Sequence, residues 1–168
     1  MATLVLTVIG DDRAGLVSAL ADVVSAHGGN WSRSQLAELA GTFAGIVEVE
    51  VDDARSSELA EALAPLKGLL EVTVHSGVVA EPPAGEPISF DLVGNDRPGI
   101  VQEITAVLRD HHVSIDRFES EIAEAPMAGG RLFRATVQAH VADAGAAEGA
   151  VAALQALAGE LMVDLELS

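Results

Sequence analysis

The chain has 168 residues, 49% of them hydrophobic, enough for one medium or two small folded cores. Its 26 acids against nine bases give a formal charge of −17, shared by both halves (11 acids and four bases in residues 1–80, 15 and five in 81–168), which opposes direct nucleic-acid binding, since phosphate backbones are gripped by clustered Lys and Arg. Cysteine is absent, which excludes disulfides, thiolate metal sites and cysteine nucleophiles, and the opening MATLVLTVIG lacks the basic flank and the length of a signal peptide or membrane span, so a cytoplasmic protein without membrane contact is expected.

In chain order, Leu4, Leu6 and Val8 alternate with their neighbours and predict a half-buried strand. The loop that follows, within VIGDDRAGLV (8–17), leads into Leu16, Val17, Leu20, Val23 and Val24, an i, i+1, i+4, i+7, i+8 stripe that predicts an amphipathic helix. A second strand is expected at about 30–38 and a third carries Phe43, Val47, Val49 and Val51. A second helix bears Leu59, Leu63 and Leu66, and a last strand alternates Leu70, Val72 and Val74.

The segment GVVAEPPAGEP (77–87), with three prolines, two glycines and no periodicity, predicts a linker. Beyond it the same unit is written again. Shifted by 84 residues, Gly10, Asp12, Arg13, Gly15, Val17, Val23, His27 and Arg33 fall on Gly94, Asp96, Arg97, Gly99, Val101, Val107, His111 and Arg117. Ile88, Phe90 and Leu92 repeat the first strand, LVGNDRPGIV (92–101) the loop, and Ile100, Val101, Ile104, Val107 and Leu108 the helix stripe. A strand at about 114–123 and one carrying Phe133, Val137, Ala139 and Val141 follow, now with EAPMAGG (124–130) as an exposed turn between them. Val151, Leu154 and Leu157 mark the second helix; Leu161, Val163 and Leu165 mark the final strand.

Strand, helix, strand, strand, helix, strand, twice over, predicts an α+β chain of two ferredoxin-like βαββαβ units in tandem. Each has an antiparallel sheet with two helices on one face. The first spans residues 1–76, the linker 77–87 and the second 88–168.

The repeated loop admits two readings. In one, Asp11-Asp12 and Asn95-Asp96 supply acceptors to the first turn of a helix whose N–H groups lack partners, Pro98 sits at an early helical position, and the loop is a capped helix start. In the other, the same N–H groups and the helix dipole hold a carboxylate, Gly15 or Gly99 lets a ligand approach the backbone, and the neighbouring Asp or Asn oxygen takes an ammonium, which together suit a free amino acid. Arg13 and Arg97 either clamp a carboxylate or pair with nearby acids, and pairing is favoured.

His27 and His111 occupy equivalent helix C-termini, where a cation complements the dipole, so they are not taken as metal ligands. Trp31 reads as core or interface filler rather than a stacking platform. No Ser-His-Asp spacing, GxxxxGK[ST] loop or HExxH occurs, so neither catalysis, a cofactor nor a metal is expected.

GDDRAGLVSALADVVSAHGGNW and GNDRPGIVQEITAVL, each inside such a unit, resemble tandem ACT domains. GGNWSRSQLAELAGTFAGIVEVEV (28–51) and APMAGGRLFRATVQAHV (125–141) are similar to the glycine cleavage system transcriptional repressor family. The resemblance implies a regulatory role and amino-acid binding at an interface, with Asp11, Asp12, Arg13, Ala14 and Gly15 in the first copy, and Asn95, Asp96, Arg97, Pro98 and Gly99 in the second, as ligand-binding loops. It also implies that Asn30, and Ser114 in the second copy, contact a ligand across that interface. Ala14 departs from the family's loop proline, which leaves the first loop less rigid. The expected partners are a small amino acid, glycine first, a protein that is itself a transcription regulator, and a second copy of the chain; a ligand-independent assembly module is the alternative, and a small enzyme ranks behind both.

Overall fold

The structure, a computed structural model, describes residues 1–77, 85–124, 130–161 and 164–167. The chain divides into two compact units, Met1–Ala80 and Glu81–Ser168. Each has its own apolar core.

The first unit runs β1 (Ala2–Asp11), α1 (Leu16–Ala26), β2 (Asn30–Leu39), β3 (Thr42–Val51), α2 (Ser56–Leu63) and β4 (Glu71–Ser76). Its sheet has the order β2-β3-β1-β4 and every pairing is antiparallel. The period-two pattern is met on one face: Leu4, Leu6 and Val8 of β1 and Val47, Val49 and Val51 of β3 are all buried, against Leu16, Leu20 and Val24 of α1 and Leu59 and Leu63 of α2. Burial of each such side chain is worth roughly 1.5–3 kcal/mol, so this shared face holds the two layers together. Leu66 lies in a 3-10 turn after α2, which Pro65 ends by removing an N–H donor.

The second unit repeats the order with β5 (Glu86–Asn95), α3 (Ile100–Asp110), β6 (Ser114–Glu124), β7 (Arg131–Val141), α4 (Ala144–Leu161) and β8 (Asp164–Leu167), in the sheet order β6-β7-β5-β8. The correspondence reaches detail: the β2–β3 register shifts between Trp31 and Arg33 and the β6–β7 register between Ile115 and Arg117, the same place in each copy. Trp31 is half-buried and packs on the first core.

Several expectations are corrected. β5 begins inside the stretch read as linker, because Glu86 and Pro87 pair with Val141 and His140. Proline is accommodated there because, among the described residues, β8 pairs with Phe90–Val93 and no ladder flanks Pro87 on that side. Leu161, expected to open the last strand, is the last residue of α4, whose alanine-rich sequence favours continued helix. On α4 the buried stripe is Ala150, Leu154 and Ala158, not Val151, Leu154 and Leu157. The helix stripes are also narrower than read: Leu16, Leu20, Val24 and Ile100, Ile104, Leu108 are buried, while Val17 and Val101 are 43% and 40% exposed. The turn read at 124–130 falls largely on residues outside those described, as does Val163.

Among the described residues no polar or charged side chain is buried. Groups that do chemistry therefore lie at loops, helix ends and sheet faces.

Candidate functional site

Each repeated loop leaves its strand pinned to the neighbouring hairpin. The Asp12 N–H donates to the Gly41 carbonyl and the Asp96 N–H to the Arg131 carbonyl, both at 2.9 Å. Asp11 lies opposite Thr42 and Asn95 opposite Leu132, so these two residues close the strand pairing rather than the helix.

The helices start on glycine. Gly15 has φ 93° and ψ 0°, Gly99 φ 86° and ψ −5°, the left-handed geometry of the third residue of a type II turn. Pro98 precedes Gly99 in that turn and lies outside α3, contrary to the early helical position expected of it; its fixed φ suits the second turn position. Ala14 stands at the same point of the first loop without that restraint. A Cβ on Gly15 would meet nothing within 4 Å, and one on Gly99 only the Glu103 side chain at 3.8 Å. Backbone conformation, not crowding, requires glycine here.

The expected aspartate caps are absent: no side chain caps α1 or α3. The main-chain bonds of Asp12 and Asp96 to the hairpin hold these residues back at the strand end. At α3 the Ile100 N–H reaches the Arg97 carbonyl at 3.5 Å and the Glu103 N–H the Gly99 carbonyl at 3.0 Å. Between them lie Val101 and Gln102, whose N–H groups are the donors that a helix start leaves over.

The two arginines diverge. Arg97 donates two hydrogen bonds to Glu103, at 2.8 and 2.7 Å, an in-chain bidentate pair of the kind expected. Hydrogen bonding from Arg97 holds the Glu103 carboxyl below its ordinary pKa, against the smaller opposing effect of desolvation, and raises that of Arg97 in turn. Arg13 has no such partner, because Ala19 stands where Glu103 stands in the second copy; it donates instead to the Gly68 and Leu69 carbonyls, at 2.6 and 3.4 Å. The acid pairing read for Arg13 is thus replaced by capping of the turn after α2.

Asn30 and Ser114 do not join their own loops. Asn30 lies opposite Glu50, and its side-chain amide approaches the Glu50 carboxylate at 3.5 Å, whereas the loop leaves β1 opposite Phe43 and Thr42. Seven strand residues separate those levels, roughly 23 Å. Ser114, opposite His140, stands equally far from Gly94, opposite Phe133.

Beside the second loop the chain forms a cleft of about 470 Å³, lined by Asp96, Arg97, Gly99–Gln102, Ser120–Ile122 and Phe133. It brings Asp96, Arg97 and Gly99 together, but with β6 residues that the sequence reading did not single out. Ser120, Glu121 and Ile122 reach the loop by strand pairing across β7, a contact that local sequence does not display. Asp96 is also 3.5 Å from Arg131; Glu121, opposite Arg134, carries its carboxylate on the helix-free face of the sheet. A broader groove of about 560 Å³ lies on the helix-free face of the same sheet, among Asp91, Glu119, Glu121, Arg134 and Thr136; it has no helix start in its lining.

His27 Nδ1 lies 2.8 Å from the Val23 carbonyl, and His27 and His111 are the terminal caps of α1 and α3, the place expected of them. Among the described residues no group of three or more potential ligands could hold a metal, and no helix is long and apolar enough to cross a membrane.

The sequence pattern of the ACT domain matches residues 2–76 and again residues 89–159. Among solved structures, an unknown protein from Galdieria sulphuraria is 28% identical, covering 99% of this chain and 97% of that one with a TM-score of 0.82. A protein assigned provisionally as a glycine cleavage system transcriptional repressor has the same fold at 18% identity, covering 99% and 96% with a TM-score of 0.69. Comparison with curated proteins found no match. With both units matched and the glycine-initiated helix present in each, the chain belongs to the ACT-domain family and carries two ACT domains in tandem.

Proposed function

We propose that the chain is a cytoplasmic, non-catalytic amino-acid sensor that regulates transcription through a protein partner. The observation that carries this reading is the uncapped helix start beside carboxylates, above all at Asp96–Gln102. A free amino acid brings both charges such a place accepts: its carboxylate faces leftover N–H donors and the positive end of the helix dipole, and its ammonium faces Asp96. Asn30 and Ser114 would then serve a loop of a second copy, since each is a strand's length from its own.

The likeness to the glycine cleavage system repressor family makes glycine the first ligand to test and a regulator of glycine breakdown the first partner. A net charge of −17 supports action through a basic or DNA-bound protein over contact with operator phosphates. The ligand switches that contact only by binding one arrangement of the protein more tightly than another.

One observation favours the alternative of a ligand-independent assembly module: β2 and β6 are long sheet edges with mostly exposed side chains, able to pair with another strand. A thermal-shift screen of the full chain against the free amino acids separates the two. A ligand selective for the native state raises the apparent midpoint, by about 2.7 kcal/mol of stability at a hundredfold excess over Kd. No shift with any amino acid, alongside intact self-association or partner binding, would leave the assembly reading.

A further inference from the structure

The two sheets share a fold, but their helix-free faces differ. On the first, the residues between the buried ones put Ile9, Ala44 and Ala37 side by side at one level and Thr7, Ile46 and Gln35 at the next, with no charge among them. Leu39 stands at the hairpin end of the same face. Ile9 and Ile46 are 48% and 47% exposed, and Leu39 76%. In the second sheet the same levels hold Val93, Arg134 and Glu121, then Asp91, Thr136 and Glu119, whose charged groups favour contact with water. Duplication has left one sheet with a water-facing surface and the other with an apolar one. Taking such a patch from water is favourable, and monomers rarely leave large ones open.

We propose that the helix-free face of the first sheet is a self-association surface, and that its occupant is the same face of a second copy of the chain. Area, charge and register favour a copy over an unrelated partner. The face is made of three strands of ten residues and one of six. At roughly 3.3 Å per residue and roughly 4.8 Å between strands they project about 570 Å² per copy and about 1,100 Å² for two, above the roughly 1,000 Å² at which specific interfaces begin. Each copy carries a charge of −17, so two approach most readily where acids are few, and Glu48 at the margin is paired with Arg33 at 2.8 Å. A twofold axis lying in the interface and across the strands at the level of Ile46 would set Ile46 against Ile46 and Thr7 against Thr7. It would lay His75 of each copy over Glu71 of the other, with no acid facing an acid. This contact is independent of whether the helix starts hold an amino acid, and it differs from pairing through the edges of β2 and β6.

Sedimentation of the full chain without added amino acid tests the proposal, and a reversible, concentration-dependent dimer is expected. Ala37→Glu combined with Ala44→Arg gives the first sheet the pair that the second carries as Glu121 and Arg134, so the fold has already accepted both residues at this level and the net charge is unchanged. This double variant should be monomeric at concentrations where the unaltered chain dimerises. Ile46→Thr, which copies Thr136, is the milder change and should weaken the dimer roughly tenfold or more, because a twofold contact loses the side chain twice. Glu119→Gln, on the face of the other sheet, should leave the dimer unchanged. A chain monomeric at every concentration would overturn the proposal, and if the double variant then lost binding to a protein partner, the face would belong to that partner. A dimer that survives both folded variants would overturn it in favour of the sheet edges.

Discussion

At Arg97 and Glu103 a single difference between the two copies changes what a helix start presents. The hydrogen bonds from Arg97 lower the Glu103 pKa from its ordinary 4.5, so the contribution of this group to stability is full above that value and is lost as pH falls through the depressed one. Glu103→Gln should therefore lower the thermal midpoint slightly near neutral pH, and the difference from the unaltered protein should vanish as pH falls below 4.5. Midpoints of both proteins measured across that range check it; a difference that persists at the acid end would mean that the pair is not its source. Pairing with a nearby acid was the favoured reading of Arg97 in the sequence, but Glu103 was not singled out as the partner. Superposing the repeats draws the eye to what they share, and Glu103 aligns with Ala19. Gly15 and Gly99 were legible as important, but for ligand access; the structure gives them a backbone role, because their positive φ sets the turn that starts each helix.

At the scale of elements, strands and helices followed their periodicities closely because burial imposes those periods directly. What escaped was set by contacts between elements. The aspartates read as caps are tied to the next hairpin, and Val17 and Val101 fall just outside the stripe that the sheet covers. Gly45 shows the same dependence. A Cβ there would collide with the Gln35 carbonyl oxygen and crowd Leu36, yet Ala135 occupies the equivalent level of the second sheet, opposite Ser120, and is buried without difficulty. Gly45→Ala should destabilise the chain by about 1–3 kcal/mol, the usual cost of forcing volume into a packed site. Urea unfolding measures it, and an unchanged midpoint and slope would show that β2 yields at that point.

At the scale of the whole molecule, duplication has produced two units with one fold and unlike helix starts. In the first, Arg13 turns to the carbonyls of Gly68 and Leu69; in the second, Arg97 and Glu103 close on each other beside a cleft with acidic and aliphatic walls. The repeat made the fold and the position of both loops legible from sequence. The cleft was not, because Ser120, Glu121 and Ile122 join Asp96–Gln102 only through the register of β6 on β7. The central claim is that a free amino acid is held at the start of α3. Backbone amide NMR of the full chain titrated with glycine and with leucine tests it most directly: the expected result is saturable shifts concentrated at Asp96, Gly99, Val101 and Gln102. Saturable shifts confined to other residues, or none at millimolar leucine and glycine alike, would contradict it.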